Sequence, residues 1–390
     1  MRSWRGVGLV TGWQFTASLA FYAIFASTAF VRSDFGLSRA LTGTVVTAIM
    51  LGYTILLFGT GAAVDGYGER PVMILGLLGM AVGCVGVAFA PTFPLLLGAL
   101  VVLGFAYATA MPATNRAIVA VSPKGSRNLA MNVKQVGVTA GSGLGALLVT
   151  GVAATRFGWR GGFLVVAGAA VVVAAAFAVY YEGTAGSGTL STPDVRGLLD
   201  DPAYRGLVLA GLFLGAAVFT TTGYVVLHMT ESVAVAAGFA GAVLAGVQVS
   251  GSVGRLVGGA LSDRMGGPPA RGPALVLTAQ GVLAALCFLG VTVAETPWTS
   301  AAAFALLGLF ILGFPGVYYA TMTAIVDDDE VGAATAGGQT MLNLGGIAAP
   351  PLFGFVVDAA SYDVAWTLAA AVTAVGAVVV WTQVARQSSQ

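Results

Sequence analysis

Three basic residues, Arg116, Lys134 and Arg255, stand inside long apolar stretches of a chain in which 8% of residues are charged and 57% are hydrophobic. A charge placed in such surroundings is expensive and needs compensation. All 16 acidic residues fall in the polar breaks or at the ends of the apolar stretches, so the apolar interior is cationic. A bound anion is one compensation. The other is a flexible stem that carries the charged head out to lipid headgroups. Each cation lies roughly 9 to 12 Å from its nearest polar break, at about 1.5 Å per helical residue.

Arg255 has the strongest context. Gln248, Ser252, Arg255, Gly259 and Ser262 recur at steps of three and four, a polar stripe along one helical face. A snorkelling arginine needs no such stripe, and a guanidinium fork matches a small carboxylate in bidentate fashion. Lys134 belongs to Arg127-Asn-Leu-Ala-Met-Asn132-Val-Lys134-Gln135-Val-Gly137. Asn128, Asn132, Gln135, Thr139 and Ser142 share one face, and Lys134 points about 100° away from Gln135. Lys134 and Gln135 therefore do not both face one cavity squarely, and ligand contact and interhelical bonding stay open for Lys134. Arg116, in Pro112-Ala-Thr-Asn115-Arg116, sits nearer its helix end, where a structural role competes with ligand contact.

Uncharged polar residues recur at helical spacing elsewhere: Gln14, Ser18 and Tyr22; Thr220, Tyr224 and His228; Gln339 and Asn343. The competing reading for each is a hydrogen bond between helices. His228, the only histidine, lies near the outer end of its segment, either as a proton carrier or as an exposed bystander. No catalytic constellation emerges, since one histidine and no embedded carboxylate leave nothing for acid-base or metal chemistry, and no cofactor is implied. Cys84 and Cys287 lie in apolar stretches and read as buried packing. A net charge of +1 gives no reason to expect nucleic-acid binding. The glycine strings at Gly141-Ser-Gly-Leu-Gly145 and Gly337-Gly338 lie within apolar helices and read as close helix packing.

The elements that must position these residues follow from hydropathy. A bilayer core needs about 20 apolar residues per helix. That length gives about twelve segments, centred near residues 18, 53, 81, 107, 142, 171, 216, 247, 283, 312, 346 and 374. Lipid leaves an unpaired strand with unsatisfied backbone, so all are helices and the fold class is an all-α membrane protein. The first segment is long enough to span and has no cleavage pattern, so it reads as retained. A phrase occurs twice, Gly61-Ala-Ala-Val-Asp65-Gly-Tyr-Gly68-Glu-Arg70 and Gly259-Ala-Leu-Ser-Asp263-Arg264-Met-Gly266, with its aspartates 263 − 65 = 198 residues apart. Gln339 echoes Gln135 at nearly the same interval, 339 − 135 = 204. The chain therefore divides into six-helix bundles over residues 1–182 and 205–390, joined by the polar linker 183–204.

Basic residues set the orientation. With the N-terminus inside, the inner loops hold Arg2, Arg5, Arg70, Lys124, Arg127, Arg196, Arg205, Arg264, Arg271 and Arg386, against Arg32, Arg39, Arg156 and Arg160 outside. Both termini are then cytoplasmic in a multi-pass plasma-membrane protein. The inner acidic run Asp327-Asp-Asp-Glu330 weighs little in this rule. Trp159, Trp298 and Trp366 form the outer aromatic belt, with Trp4 and Trp381 at the inner interface.

Twelve segments in two halves, a long central loop and the doubled Gly-x-x-x-Asp-x-x-Gly phrase resemble the major facilitator superfamily over essentially the whole chain. The resemblance implies two bundles that alternately open a central cavity. It implies that Asp65 and Asp263, with Arg70 and Arg264 nearby, latch the cytoplasmic side. Gly66 stands where the second copy has Arg264, which weakens the first latch. Arg255, one turn before the second phrase, is similar to the substrate arginine of monocarboxylate and oxalate-type members, and the Lys134 segment resembles cyanate-permease-like members. The expected function is secondary transport of a small organic anion by a monomer, with a coupling proton or counter-anion as a second partner. Drug or metabolite export is the alternative, against which Gly141-Ser142 replaces the Gly-Pro of exporters. A nitrate or cyanate carrier and a non-transporting receptor complete the alternatives.

Overall fold

The computed structural model describes residues 3–124, 126–188, 197–327 and 330–385. Arg2, Arg196 and Arg386 of the orientation argument and Asp328 and Asp329 of the acidic run lie outside the described residues, as do the side chains of Arg127, Asn128 and Asn132. Among the described residues, 12 helices are long and apolar enough to cross a membrane, and there is no strand. They are α1 Trp4–Phe35, α2 Arg39–Tyr67, α3 Glu69–Phe89, α4 Phe93–Val121, α5 Leu129–Ala153 and α6 Gly158–Tyr180. The second set is α7 Pro202–Glu231, α8 Ala237–Arg264, α9 Arg271–Thr292, α10 Pro297–Thr323, α11 Val331–Ala359 and α12 Tyr362–Val384.

Local chemistry fixes many of the starts. Ser3 accepts from the Gly6 amide at 3.2 Å to cap α1. The Asp201 carboxylate accepts from Ala203 at 2.9 Å with Pro202 as the first helical residue of α7. Thr296 and Thr299 form a reciprocal capping box ahead of Pro297 in α10. Each device satisfies amides that a helix start leaves without partners. Between α2 and α3 only Gly68 intervenes, at φ +85, a conformation that favours glycine, and a Cβ there would also strike the Thr184 carbonyl.

The chain forms two compact units. Unit 1 is Met1–Phe35 with Ala48–Thr192, and unit 2 is Gly36–Thr47 with Pro193–Gln390. In unit 1, α1 packs on α5 and α3 packs on α6; in unit 2, α7 packs on α11 and α9 on α12, the same pairings six helices later. Glycines make the tightest of these contacts. Gly137, Gly141 and Gly145, one per turn of α5, lie against backbone of α1 at Thr11, Phe15 and Leu19, and Gly215 and Gly345 meet the facing backbone of α11 and α7. Small residues bring helix backbones close enough for dense packing, which drives association where lipid offers no hydrophobic advantage.

Residues 36–47 depart from the sequence division by packing in unit 2. Arg39 Nε lies 2.7 Å from Glu231 Oε2 at the end of α7, and its Nη1 lies 3.3 Å from Asp358 Oδ1 at the end of α11. Asp358 Oδ2 accepts from the Ala40 amide at 2.9 Å, and Tyr362 donates to Glu231 at 2.8 Å. Thr47 donates to the Ile347 carbonyl at 2.6 Å.

Candidate functional site

Two helices are interrupted at equivalent places. The helical run of α4 stops at Tyr107 and resumes at Ala110 with Pro112 in its first turn, and that of α10 stops at Ile311 and resumes at Phe314 with Pro315. The prolines are 315 − 112 = 203 residues apart. Proline removes a backbone donor and crowds the preceding turn, so each interruption frees carbonyls and re-aims the side chains after it.

In unit 1 the residues after the break meet Lys134. Its side chain is entirely buried, and Nζ donates to Asn115 Oδ1 and, at 3.4 Å, to Thr114 Oγ1. Thr114 donates to Gln14 Oε1 at 2.9 Å, and Gln14 Nε2 donates to Ser18 at 3.3 Å. The predicted lining residues Gln14, Ser18 and Lys134 therefore form one network across α1, α4 and α5. Its oxygen partners are all neutral, and Lys134 makes no ion pair among the described residues. Neighbouring Gln135 is half-buried, and its Oε1 is buried without a hydrogen-bond partner. Tyr22, further along α1, is half-exposed and packs edge-on to Phe21 at 5.1 Å.

In unit 2 the break in α10 serves Arg255 on α8. Arg255 Nε donates to the Leu312 carbonyl, freed at the interruption, at 2.9 Å. Tyr319 donates to Gln339 Oε1, and Gln339 Nε2 donates to Asn343 Oδ1 at 2.7 Å. Asn343 is wholly buried, and its Nδ2 is buried without a partner. Gln339 and Asn343 are thus joined to each other and to Tyr319, which sequence reasoning missed. Tyr319 is four residues beyond Pro315, just as Arg116 is four beyond Pro112, and that offset is the signal that points to it. Gln248 is buried about two turns before Arg255, and Ser252 donates back to the Gln248 carbonyl at 3.3 Å.

Several expected roles fall elsewhere. Arg116 is not placed with Lys134 but engages the end of α2 and the start of α3: Nε lies 3.1 Å from Glu69 Oε2, and Nη1 lies 3.0 Å from the Val64 carbonyl and 3.5 Å from Asp65 Oδ1. Its position one residue beyond Asn115, about 100° round the helix, aims it toward that loop. Asp65 therefore meets Arg116 rather than Arg70, whose Nη2 donates to the Ala178 carbonyl at 2.6 Å. Glu69 is wholly buried and accepts from Tyr181 at 2.8 Å and from the Thr184 amide at 2.8 Å. Burial, and then the Glu69 carboxylate, push the Tyr181 hydroxyl far above its ordinary range. The Ser187 and Gly188 amides donate to the carbonyls of Asp65 and Gly66 at 2.7 and 3.1 Å, so the chain after α6 is strapped to the first motif loop. Asp263 and Arg264 are exposed and form no ion pair among the described residues.

Tyr224 is buried, with its hydroxyl within 2.6 Å of the Arg39 carbonyl and 2.9 Å of the Pro350 carbonyl, where it joins α2 to α11. His228 is not an exposed bystander. It is buried among Phe304, Tyr362 and Trp366, and Trp366 Nε1 donates to its Nδ1 at 3.2 Å. Accepting there requires an unprotonated Nδ1. Trp366 likewise leaves the expected interfacial belt, because it is fully buried against Phe288 and Phe353.

The pairing of helices six apart and the doubled break are repeated-bundle features, and the family comparison agrees. The Major Facilitator Superfamily model matches residues 12–197 and 207–389. The chain belongs to the major facilitator superfamily. Among curated relatives it is 33% identical over 119 residues to the gallate transporter of Pseudomonas putida, covering 30% of this chain and 26% of that protein. It is 35% identical over 136 residues to the multidrug efflux pump LfrA of Mycolicibacterium smegmatis, covering 35% of this chain and 27% of that protein. The chain thus matches only about a quarter of the length of either relative. A solved bacterial homologue of the human lysosomal transporter Spinster, in an inward-facing and occupied conformation, superposes with a TM-score of 0.81 at 14% identity, covering 98% of this chain and 96% of that one. The unoccupied form of that homologue gives 0.77 at 16% identity over 98% and 95%. At such identities the likeness shows the fold. With 12 helices long and apolar enough to cross a membrane among the described residues, the chain is a multi-pass member of this superfamily.

Proposed function

We propose that this transporter carries a small organic anion, a carboxylate, with Arg255 in unit 2 as its principal anchor and Lys134 in unit 1 as a second, separate candidate cation. The observation that carries the reading is Lys134: a wholly buried ammonium whose oxygen partners are neutral amide and hydroxyl groups. Neutral oxygens satisfy its hydrogens but leave its charge unbalanced in a low-dielectric place, and an anion supplies the balance. Arg255 adds a guanidinium held in orientation by the Leu312 carbonyl. The likeness to a gallate transporter, whose named cargo is a carboxylic acid, points the same way.

The likeness to a multidrug efflux pump favours a second reading, export of an apolar compound. Such a cargo leaves Lys134 uncompensated, so the anion reading takes precedence. The protein acts as a monomer in the plasma membrane with both termini cytoplasmic. Coupling is by exchange, by a proton carried with the substrate or on a helix-end acid, or by none, since the described helix interiors hold no carboxylate. Proteoliposome uptake of gallate, benzoate and oxalate, competed by unlabelled anions and by lipophilic cations, tests the choice. Saturable uptake inhibited by carboxylates alone is expected. Inhibition by lipophilic cations, with no carboxylate flux in either direction, would overturn it.

A further inference from the structure

We propose that a groove in unit 1, between α1 and α6, binds a phospholipid with a zwitterionic, primary-amine headgroup. The groove encloses about 670 Å³. Its walls are two helical stripes, Gly8, Leu9 and Gly12 on α1 and Val173 and Phe177 on α6, each spaced by three or four residues. Nothing lies within 4 Å of where a Cβ would stand on Gly8 or Gly12, so the floor is open to a guest. An acyl chain fits a slot of this composition.

The mouth of the groove identifies the headgroup. It lies where α1 begins and α6 ends, beside the exposed rings of Trp4 and Tyr180, the aromatic types that gather at the level of lipid headgroups. Arg5 and Glu182 both line it, both are exposed, and neither forms an ion pair among the described residues. A guanidinium takes a phosphate through two parallel hydrogen bonds. The carboxylate takes an ammonium, and a primary ammonium donates hydrogen bonds that a quaternary one lacks. A cation and an anion at one mouth therefore complement phosphatidylethanolamine. Phosphatidylcholine leaves Glu182 without a donor, and an anionic headgroup places negative charge beside it. The inference rests only on the chain's spanning a bilayer and is independent of which solute is carried.

The test uses the purified full chain, delipidated and then offered equimolar phosphatidylethanolamine, phosphatidylcholine and phosphatidylglycerol with matched acyl chains, with retained lipid counted by native mass spectrometry. Phosphatidylethanolamine should be retained roughly two- to fivefold over each of the others, the range of a single exposed ion pair. Glu182→Gln should equalise phosphatidylethanolamine and phosphatidylcholine, and Gly12→Leu, which fills the floor, should lower retention of all three. If Gly12→Leu does not fold, Arg5→Gln at an exposed position carries the same burden by lowering phosphatidylethanolamine and phosphatidylcholine together. Equal retention by the native chain, preference for phosphatidylglycerol, or a preference that survives both Glu182→Gln and the groove variant would overturn the proposal.

Discussion

Substituting Arg255 separates the charge of the anchor from its geometry. The Nε–H is committed to the Leu312 carbonyl at 2.9 Å, which orients the guanidinium plane. Arg255→Ala removes the charge-assisted hydrogen bonds to the anion, at about 1.5 to 3 kcal/mol, or roughly ten- to a hundredfold in affinity. Arg255→Lys keeps the charge but has neither fork nor Nε–H, so affinity should still fall, by roughly tenfold. Both variants also leave the Leu312 carbonyl, on a residue only 4% exposed, without its donor, which costs about 1 to 3 kcal/mol of stability. The assay must therefore pair two readings: calorimetric titration with the transported anion, and thermal unfolding without it. Gln248→Ala and Ser252→Ala should cost less, because Ser252 already spends its hydroxyl on its own helix. A folded Arg255→Ala protein that binds its anion with unchanged affinity would refute the assignment and shift it to Lys134.

Lys134→Met should leave stability within about 1 kcal/mol, because the lost donors to Asn115 and Thr114 are offset by removal of a buried charge, while anion affinity falls at least tenfold; titration that shows equal affinity would make the lysine structural. Glu69→Gln should destabilise the protein by about 2 kcal/mol, less than a fully buried pair because the Arg116 side chain is 28% exposed, as read by detergent thermal unfolding. In that variant cysteine accessibility at Ser187 should rise, and unchanged accessibility would show that the strap to Asp65 holds by itself. His228→Ala should lower stability by about 1 to 3 kcal/mol through the cavity left among Phe304, Tyr362 and Trp366. The pH dependence of uptake should not change in that variant, and its disappearance would restore the histidine as a proton carrier.

Hydropathy reached the twelve helices because each is long and uniformly apolar, and lipid permits no other element there. It did not reach the breaks in α4 and α10, since a window that averages hydrophobicity over about 20 residues registers length but not continuity. Pro112 was in view, but only the structure shows that the residues after the two breaks bring Asn115 to Lys134 and Tyr319 to Gln339. The stripe of Thr220, Tyr224 and His228 misled for a different reason. The best apolar window of α7 is 78% buried, against 44% for α8, so a polar stripe on α7 meets neighbouring helices on most sides. Arg116 was ambiguous because its partner, Glu69, is 47 residues away in sequence and is brought beside it only by the packing of α3 on α4.

The internal repeat supplies a further argument about the cations. Scaffold features recur in both halves: the Gly-x-x-x-Asp phrase, the proline after each break, and the glycine contacts of α1 with α5 and of α7 with α11. A cation that braced a feature shared by both halves would be expected at both copies too, whereas Arg116, with Tyr319 at its counterpart, braces the first motif loop alone. Lys134 has Gly338 at its counterpart, 134 + 204 = 338, and that glycine packs against Met322. Arg255 has Leu57 at its counterpart, 255 − 198 = 57, a buried apolar residue. The two equivalent positions thus fold with no charge at all, so neither bundle needs a cation there to pack. On the proposed reading, the cost of embedding one in each half, on helices that are not equivalents of one another, is offset by binding of an anion.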